Sequence, residues 1–237
     1  MLAPVIEVFS SFQGEGILVG KRQIFIRFAG CNLNCAYCDT KSSQDISSGV
    51  LMGVDELADK VESVMSPDFH SLSFTGGEPL LYADFIRAFL DKYDYPAMIE
   101  TNGTLPDEMD KLKDKINYAS VDIKIDQADV EICCGDVVGN VVDCEIKTLQ
   151  LLSTYDVTIY YKIVVFPTTS IGGIEKITEK IVRNTGLSAC PVIIQPASPI
   201  ELWAGETNKL FEISSVIGDY VDDVMVIPQV HKMLDIE

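Results

Sequence analysis

The chain has 237 residues, 47% of them hydrophobic, which suits one α/β domain with a substantial core. Acidic residues outnumber basic ones 36 to 18, and the formal charge of −18 argues against binding nucleic acid, which needs clustered cations on phosphates. No apolar run reaches the ~18 residues of a membrane span. The opening "MLAPVIEVFSSFQGEG" lacks a basic start and soon turns polar, so no secretion signal is read and the cytoplasm is the expected location.

Strand-like and helix-like stretches then alternate. "QIFIRFA" (23–29) is rich in β-branched and aromatic residues and predicts a strand. "VDELADKVESVM" (54–65) spaces its apolar residues for a helix, with Asp55 and Glu56 in the first turn. "SLSF" (71–74) predicts a strand and "YADFIRAFLDKY" (82–93) a helix. "AMIE" (97–100) predicts a strand, and "PDEMDKLKDKI" (106–116) a helix whose leading proline suits its first turn. "ASVDIKI" (119–125) and "VVDCEIKTLQLLSTY" (141–155) repeat the pair, as do "VTIYYKIVVF" (157–166) and "GIEKITEKIVRNT" (173–185). "PVIIQP" (191–196), "ETNKLFEISSVIG" (206–218) and a last strand, "DVMVIP" (223–228), complete the series. Six strand–helix units make a parallel sheet, because each helix crosses back over it. Six are too few for the closed eight-stranded barrel, so an open partial (β/α)6 barrel is expected. The polar, glycine-rich pieces "GCNLNCAYCDT", "TGGEP" and "TNGT" follow the first three strands. They should therefore meet at one mouth, the carboxyl end of the sheet.

Seven cysteines are present, and an odd number argues against a disulfide framework. Adjacent Cys133 and Cys134 read as inert thiols. "CNLNCAYCDT" (31–40) differs, because Cys31, Cys35 and Cys38 follow C-x3-C-x2-C spacing. Three thiolates can hold three irons of a 4Fe–4S cluster and leave the fourth iron open, and an open metal position generally means chemistry. A zinc knuckle would want a fourth Cys or His, usually in a second paired motif, and neither His70 nor His231 sits in one.

The loop resembles that of radical S-adenosylmethionine enzymes, with Tyr37 as the aromatic before the third cysteine. "TGGEP" (75–79) is similar to that family's glycine-rich strand end, where Gly76 and Gly77 would let the methionine moiety approach the backbone. "ETNGT" (100–104) and "SVDIK" (120–124) resemble the next two strand ends. Within the superfamily, "EVFSSFQGEG" (7–16), "IFIRFAGCNLNCAYCDT" (24–40), "VIIQP" (192–196) and the tail "PQVHKMLDIE" (228–237) resemble the 7-carboxy-7-deazaguanine synthase family. The resemblance runs along nearly the whole chain and is most specific in its first 40 residues and at 75–79.

That resemblance implies a carbon–nitrogen lyase acting on 6-carboxy-5,6,7,8-tetrahydropterin to give 7-carboxy-7-deazaguanine and ammonia, a step toward modified tRNA bases. The implied cofactors are a 4Fe–4S cluster, S-adenosylmethionine and Mg2+, with the cofactors carrying the radical chemistry. The implied cluster ligands are Cys31, Cys35 and Cys38. Tyr37, Asp39, Gly76, Gly77 and Glu78 are implied at S-adenosylmethionine. Phe12, Gln13, Gly14, Arg27 and Thr75 are implied at the substrate, and Thr40 at Mg2+. Residues 1–237 would then form one domain with an N-terminal substrate-binding segment and a short C-terminal tail. A low-potential donor such as flavodoxin or ferredoxin, and a homodimer, are further implications. The family's Ser-x-Lys at the fourth strand end is here Asp122-Ile123-Lys124, with Ser120 earlier, which leaves Ser120, Asp122 and Lys124 as less defined cofactor contacts. The chain ends in Ile236-Glu237 and not in proline, so a terminal proline carboxylate at the substrate is not supported. His231 and Lys232 read equally as solvated tail, and Gln195 and Lys162 equally as structural groups of their strands.

Two rival readings share the cluster loop. A glycyl-radical activase would need a docking surface for a protein loop and leaves "FQGEG" without a purpose. A non-catalytic electron-transfer protein would want four protein ligands or a second cluster motif.

Overall fold

A computed structural model describes residues 1–125, 130–132 (backbone) and 140–236. Cys133, Cys134 and Glu237 lie outside the described residues. In chain order the strands are β1 (Leu2–Phe12), β2 (Arg22–Phe28), β3 (Leu33–Cys35), β4 (Val50–Gly53), β5 (Ser71–Gly76) and β6 (Ala97–Thr101). They continue with β7 (Tyr118–Ile123), β8 (Val130–Ile132), β9 (Thr158–Val165), β10 (Val192–Pro196) and β11 (Val224–Val226). The helices are α1 (Val54–Ser63), α2 (Ala83–Lys92), α3 (Pro106–Asp110), α4 (Val141–Leu152), α5 (Ile171–Thr185), α6 (Asn208–Gly218) and α7 (Val230–Leu234).

The main sheet runs β11-β10-β9-β7-β6-β5-β2-β1-β4. From β2 to β11 every neighbouring pair is parallel. These seven strands are the ones predicted. Strand β1 adds to them antiparallel to β2, and β4 pairs antiparallel with β1. The outermost strands β4 and β11 do not pair with each other, so the barrel stays open.

Strands β1 and β4 were not legible in the sequence. Strand β1 carries Pro4, Glu7, Ser10 and Ser11 and shows no clean alternation of burial. A register shift between Val5 and Glu7 interrupts its pairing with β2, the kind of irregularity that bends a strand. The helix expected over 106–116 is regular only through α3. Beyond it the chain winds in three-residue turns, Leu112 N–H to Met109 C=O (2.9 Å) and Lys115 N–H to Leu112 C=O (2.8 Å). Helix α5 starts two residues early, where the Ser170 hydroxyl accepts from Gly173 N–H (3.2 Å).

Side chains alternate across each strand, and the two faces differ in kind. On β2, Ile24, Ile26 and Phe28 are fully buried in the core beneath the helices; on β5, Leu72 and Phe74 do the same. Phe28 packs near Phe74 (centroids 6.3 Å) and edge-on to Phe85 of α2 (6.2 Å). The intervening residues face the barrel interior and are largely polar. Gln23 Nε2 donates to Ser71 Oγ (2.8 Å), and Ser73 Oγ donates to Glu100 Oε1 (2.8 Å).

Candidate active site

The carboxyl ends of the parallel strands surround a cavity of about 480 Å³, within the size range of cofactor and ligand sites. Strand register accounts for its composition. Arg27 lies opposite Thr75 across β2 and β5, and Asp122 opposite Lys162 across β7 and β9. Of the expected site residues, Phe12, Gln13, Gly14, Arg27, Cys31, Cys35, Tyr37, Cys38, Asp39, Thr40, Thr75, Gly76, Gly77, Asp122 and Lys124 all line the cavity. Glu78 and Ser120 do not line it. Ser120 is buried beside the Tyr160 hydroxyl.

The cysteine loop is pinned from below. Asn32 is fully buried; its amide donates to Thr104 Oγ1 (2.8 Å) and its carbonyl accepts from Asn102 Nδ2 (2.9 Å). Leu33 is buried beside it. Cys38 N–H closes a turn onto Cys35 C=O (3.1 Å). The loop is thus fixed to the end of β6, which explains why "TNGT" follows that strand.

Glycines set the loop against β5. Gly76 has φ +127°, and a Cβ there would collide with the Phe28 backbone. A Cβ on Gly77 would collide with Gly30 C=O and Ser43 C=O. Gly77 N–H donates to Phe28 C=O (3.0 Å) and Glu78 N–H to Gly30 C=O (2.9 Å). These glycines thus permit close backbone approach to the end of β2 and to the residues that flank the cysteine loop, and both also line the cavity. Glu78 is fully buried and accepts from Thr101 Oγ1 (2.8 Å), Asn102 N–H (2.8 Å) and Leu80 N–H (2.9 Å). Its carboxylate is an internal clamp away from the cavity wall. Burial pushes its pKa up to about 7 against those three donors.

The front segment forms the opposite wall. Gln13 turns inward, and its amide donates to Gln23 Oε1 (2.8 Å) and Glu100 Oε1 (2.9 Å) while its oxygen accepts from Glu15 N–H (3.0 Å). A Cβ on Gly14 would collide with His231, and Gly14 C=O accepts from Val230 N–H (2.9 Å). Arg27 Nε pairs with Glu7 Oε1 (2.6 Å), and its guanidinium carbon sits 5.7 Å from the Phe9 ring centroid. Phe9 stacks on Phe25 (5.1 Å), and both rings line the cavity.

Two buried lysines carry positive charge into this acidic chain. Lys124 lies 5.6 Å from the Tyr37 ring centroid and 3.5 Å from Asp122 Oδ2. Burial works against its charge, but Asp122, Tyr37, Cys35 and Glu145 outweigh it and raise its pKa. Lys162 pairs with Glu15 and, at 3.3 Å, with Asp122. Its pKa is likewise raised despite burial, by Asp122, Glu15 and Glu100. Beneath them Glu145 accepts from Lys124 N–H (3.1 Å) and is fully buried. Burial raises its carboxyl well above the ordinary range.

The C-terminal tail reaches the same cavity through Gln229, His231 and Lys232. Lys232 Nζ donates to Asp39 Oδ2 (2.8 Å), and Gln229 Nε2 donates to the same oxygen (2.8 Å). Burial opposes ionisation of Asp39, but these two donors overcome it and hold the carboxyl well below its usual range. Lys162, Gln195, His231 and Lys232, left open from sequence, all line the cavity, as do Glu15, Glu100 and Gln229, which were not singled out. In the sequence Lys162 stood out by alternating with apolar strand residues, and Gln195 by its place after an apolar run. Nothing local marked Gln229, whose role depends on partners 190 and 214 residues away.

The residues present suit the implied groups. Among the described residues, no three His, Cys, Asp or Glu side chains converge as they would on a single metal ion. The three cysteines nevertheless share one cavity wall, as thiolates holding different irons of a cluster would. Burial pushes the Cys31 thiol up to about 12 and raises Cys35, so an iron centre would have to displace their protons. Gln195 Oε1 is buried at the cavity wall, has no hydrogen-bond partner among the described residues and is available to a cofactor donor. Thr40 Oγ1 caps no turn and contacts Asp39 Oδ1 (3.1 Å). One hydroxyl beside one carboxylate leaves most of a Mg2+ shell to substrate and water.

The family model for the radical SAM superfamily matches residues 25–181. A 7-carboxy-7-deazaguanine synthase from Methanothermobacter thermautotrophicus is 47% identical over 99% of this chain and 98% of its own length. One from Archaeoglobus fulgidus is 36% identical over the full length of both. Among solved structures, QueE from Escherichia coli superposes with a TM-score of 0.65 at 22% identity, covering 98% of this chain and 95% of its own.

Proposed function

Since this chain belongs to the radical SAM superfamily and, within it, to the 7-carboxy-7-deazaguanine synthases, we propose that it converts 6-carboxy-5,6,7,8-tetrahydropterin to 7-carboxy-7-deazaguanine and ammonia in 7-deazapurine biosynthesis, as one domain spanning 1–237. The observation that carries this reading is the single cavity shared by Cys31, Cys35, Cys38, Gly77, Arg27, Thr75 and the 12–14 segment.

Cys31, Cys35 and Cys38 would hold a 4Fe–4S cluster. When bound, the cluster and S-adenosylmethionine supply reductive radical chemistry. The chain's own task is to hold the reactants in register and keep water out. Arg27 is half committed: Nε serves Glu7, and since Arg27 lines the cavity, its remaining N–H groups would suit the substrate carboxylate. Gln13 spends its side chain internally, so substrate contacts from 12–14 fall to the backbone. The Phe9–Phe25 pair closes the wall beside Arg27 against water. Lys124 balances the anionic side of the cysteine loop, with Tyr37, Asp39, Gly76, Gly77 and Asp122 at S-adenosylmethionine. Glu78 supports that wall from behind through Thr101 and Asn102, and Ser120 lies buried beside the Tyr160 hydroxyl. Thr40 contributes one oxygen to Mg2+. A flavodoxin or ferredoxin as electron donor, a homodimer and a cytoplasmic location complete the reading. No helix among the described residues is long and apolar enough to cross a membrane.

Anaerobic protein reconstituted with iron and sulfide, given S-adenosylmethionine, dithionite, Mg2+ and the carboxytetrahydropterin, should form 7-carboxy-7-deazaguanine, detected by mass. Cleavage of S-adenosylmethionine with no such product under these conditions would overturn the substrate assignment.

A further inference from the structure

A series of ion pairs and hydrogen bonds runs along the cavity wall from β7 to the tail. It runs Asp122–Lys162–Glu15–Gln229–Asp39–Lys232. Gln229 is its only neutral member. Its side chain is buried, and its two amide hydrogens are both used, one on Glu15 Oε1 (2.7 Å) and one on Asp39 Oδ2 (2.8 Å). Its oxygen accepts from Ser198 Oγ (2.6 Å). An amide is suited to this place, since it satisfies two acceptors without adding charge.

The two acceptors belong to different parts of the site. Glu15 follows the 12–14 segment, and Asp39 lies between Cys38 and Thr40. Without a donor between them, two carboxylates at the wall of one cavity would repel and draw apart. Lys232 would still hold Asp39, and Lys162 would still hold Glu15. Among the described residues, Gln229 is the one side chain of this network that bonds Glu15 of the front segment and Asp39 of the cysteine loop at once; without it the link runs only through Val230 N–H on Gly14 C=O and Lys232 on Asp39. A shift of about 1 Å between reacting groups can cost roughly 100-fold in rate.

We propose that Gln229 is a positioning residue: by donating to both Glu15 and Asp39 it keeps the substrate segment in register with the cysteine loop, so that cofactor cleavage is coupled to product. This rests on the functional reading above. Gln229→Leu removes both donors at similar size, and Gln229→Asn keeps the amide on a shorter stem that cannot reach both oxygens. In the reconstituted enzyme the ratio of 7-carboxy-7-deazaguanine to 5′-deoxyadenosine should fall at least tenfold for Leu, less for Asn, with iron content and melting temperature near those of the parent. A second readout needs no cofactor. In the iron-free protein, trypsin should remove residues 233–237 after Lys232 faster in the variants, because the tail loses the two amide bonds of Gln229 and is left with Lys232 on Asp39 and Val230 N–H on Gly14 C=O. A folded Gln229→Leu protein with the parent's product ratio and the parent's tail cleavage rate would overturn the proposal; if that variant fails to fold, the same two results in Gln229→Asn would do so. A parent enzyme that forms no product would instead overturn the functional reading, and the trypsin comparison would still test the anchor.

Discussion

The two faces of the parallel strands do different work with the same backbone. On β5, Leu72 and Phe74 are sealed in the apolar core, while Ser71 and Ser73 point the other way into a polar interior, with Thr75 at the cavity above them. On β2 the division is Ile24, Ile26 and Phe28 against Gln23, Phe25 and Arg27. The outer face gains stability from area removed from water and from close packing. The inner face holds buried carboxylates and lysines whose desolvation is costly unless every partner is in place. Stability and chemistry can therefore be perturbed separately here, one residue apart.

The largest expected effect is on the outer face. Phe74→Ala empties a fully buried site packed against Phe28 and Phe89 and should cost about 3–5 kcal/mol of unfolding free energy. Denaturant titration checks it, and the folded fraction should keep the parent's KM. The next effect lies just past the end of the same strand, at Glu78. The folded Glu78 carboxyl, lifted by burial to about 7 from an ordinary 4.5, binds a proton that the unfolded chain has already released. Its contribution favours folding fully below pH ~4.5 and is lost as pH rises through about 7, a span worth at most about 3 kcal/mol. Stability of Glu78→Gln should therefore fall less steeply with pH over that window. Parallel slopes for parent and variant would show that Glu78 does not titrate there.

Gly77→Ala should act on activity more than on the core. Its methyl group would push against Gly30 C=O and so displace the cysteine loop. A misplacement on the order of 1 Å predicts a loss of about 100-fold in kcat/KM, read together with iron content. The smallest effect is Arg27→Lys. Lysine can keep a charge near Glu7 but cannot present the planar fork to a carboxylate, so KM for the pterin should rise about tenfold, roughly 1.4 kcal/mol. An unchanged KM would remove Arg27 from the substrate side of the cavity.

What the sequence revealed follows the same division. The seven parallel strands were legible because their outer faces are runs of β-branched and aromatic residues, and the cysteine spacing and the two glycines stood out as local patterns. Strand β1 was not legible, because Pro4, Glu7 and its serines break the alternation and its pairing with both β2 and β4 is long-range. Glu78 was expected at the cofactor from its place in "TGGEP", yet its side chain turns away to clamp Thr101 and Asn102. The tail was ambiguous because His231 and Lys232 look solvated in isolation. Only the fold brings Lys232 to Asp39 and His231 onto Gly14.

Cys31, Cys35 and Cys38, and not the buried thiols of the outer layer, are proposed to make the inner face an iron–sulfur site. Iron and sulfide analysis of single cysteine-to-alanine variants after anaerobic reconstitution tests it most directly. Cys31→Ala, Cys35→Ala and Cys38→Ala should each lose the intact cluster and S-adenosylmethionine cleavage, while Cys144→Ala and Cys190→Ala, both buried away from the cavity, should retain four irons per chain. A Cys35→Ala protein with a complete, active cluster would contradict it.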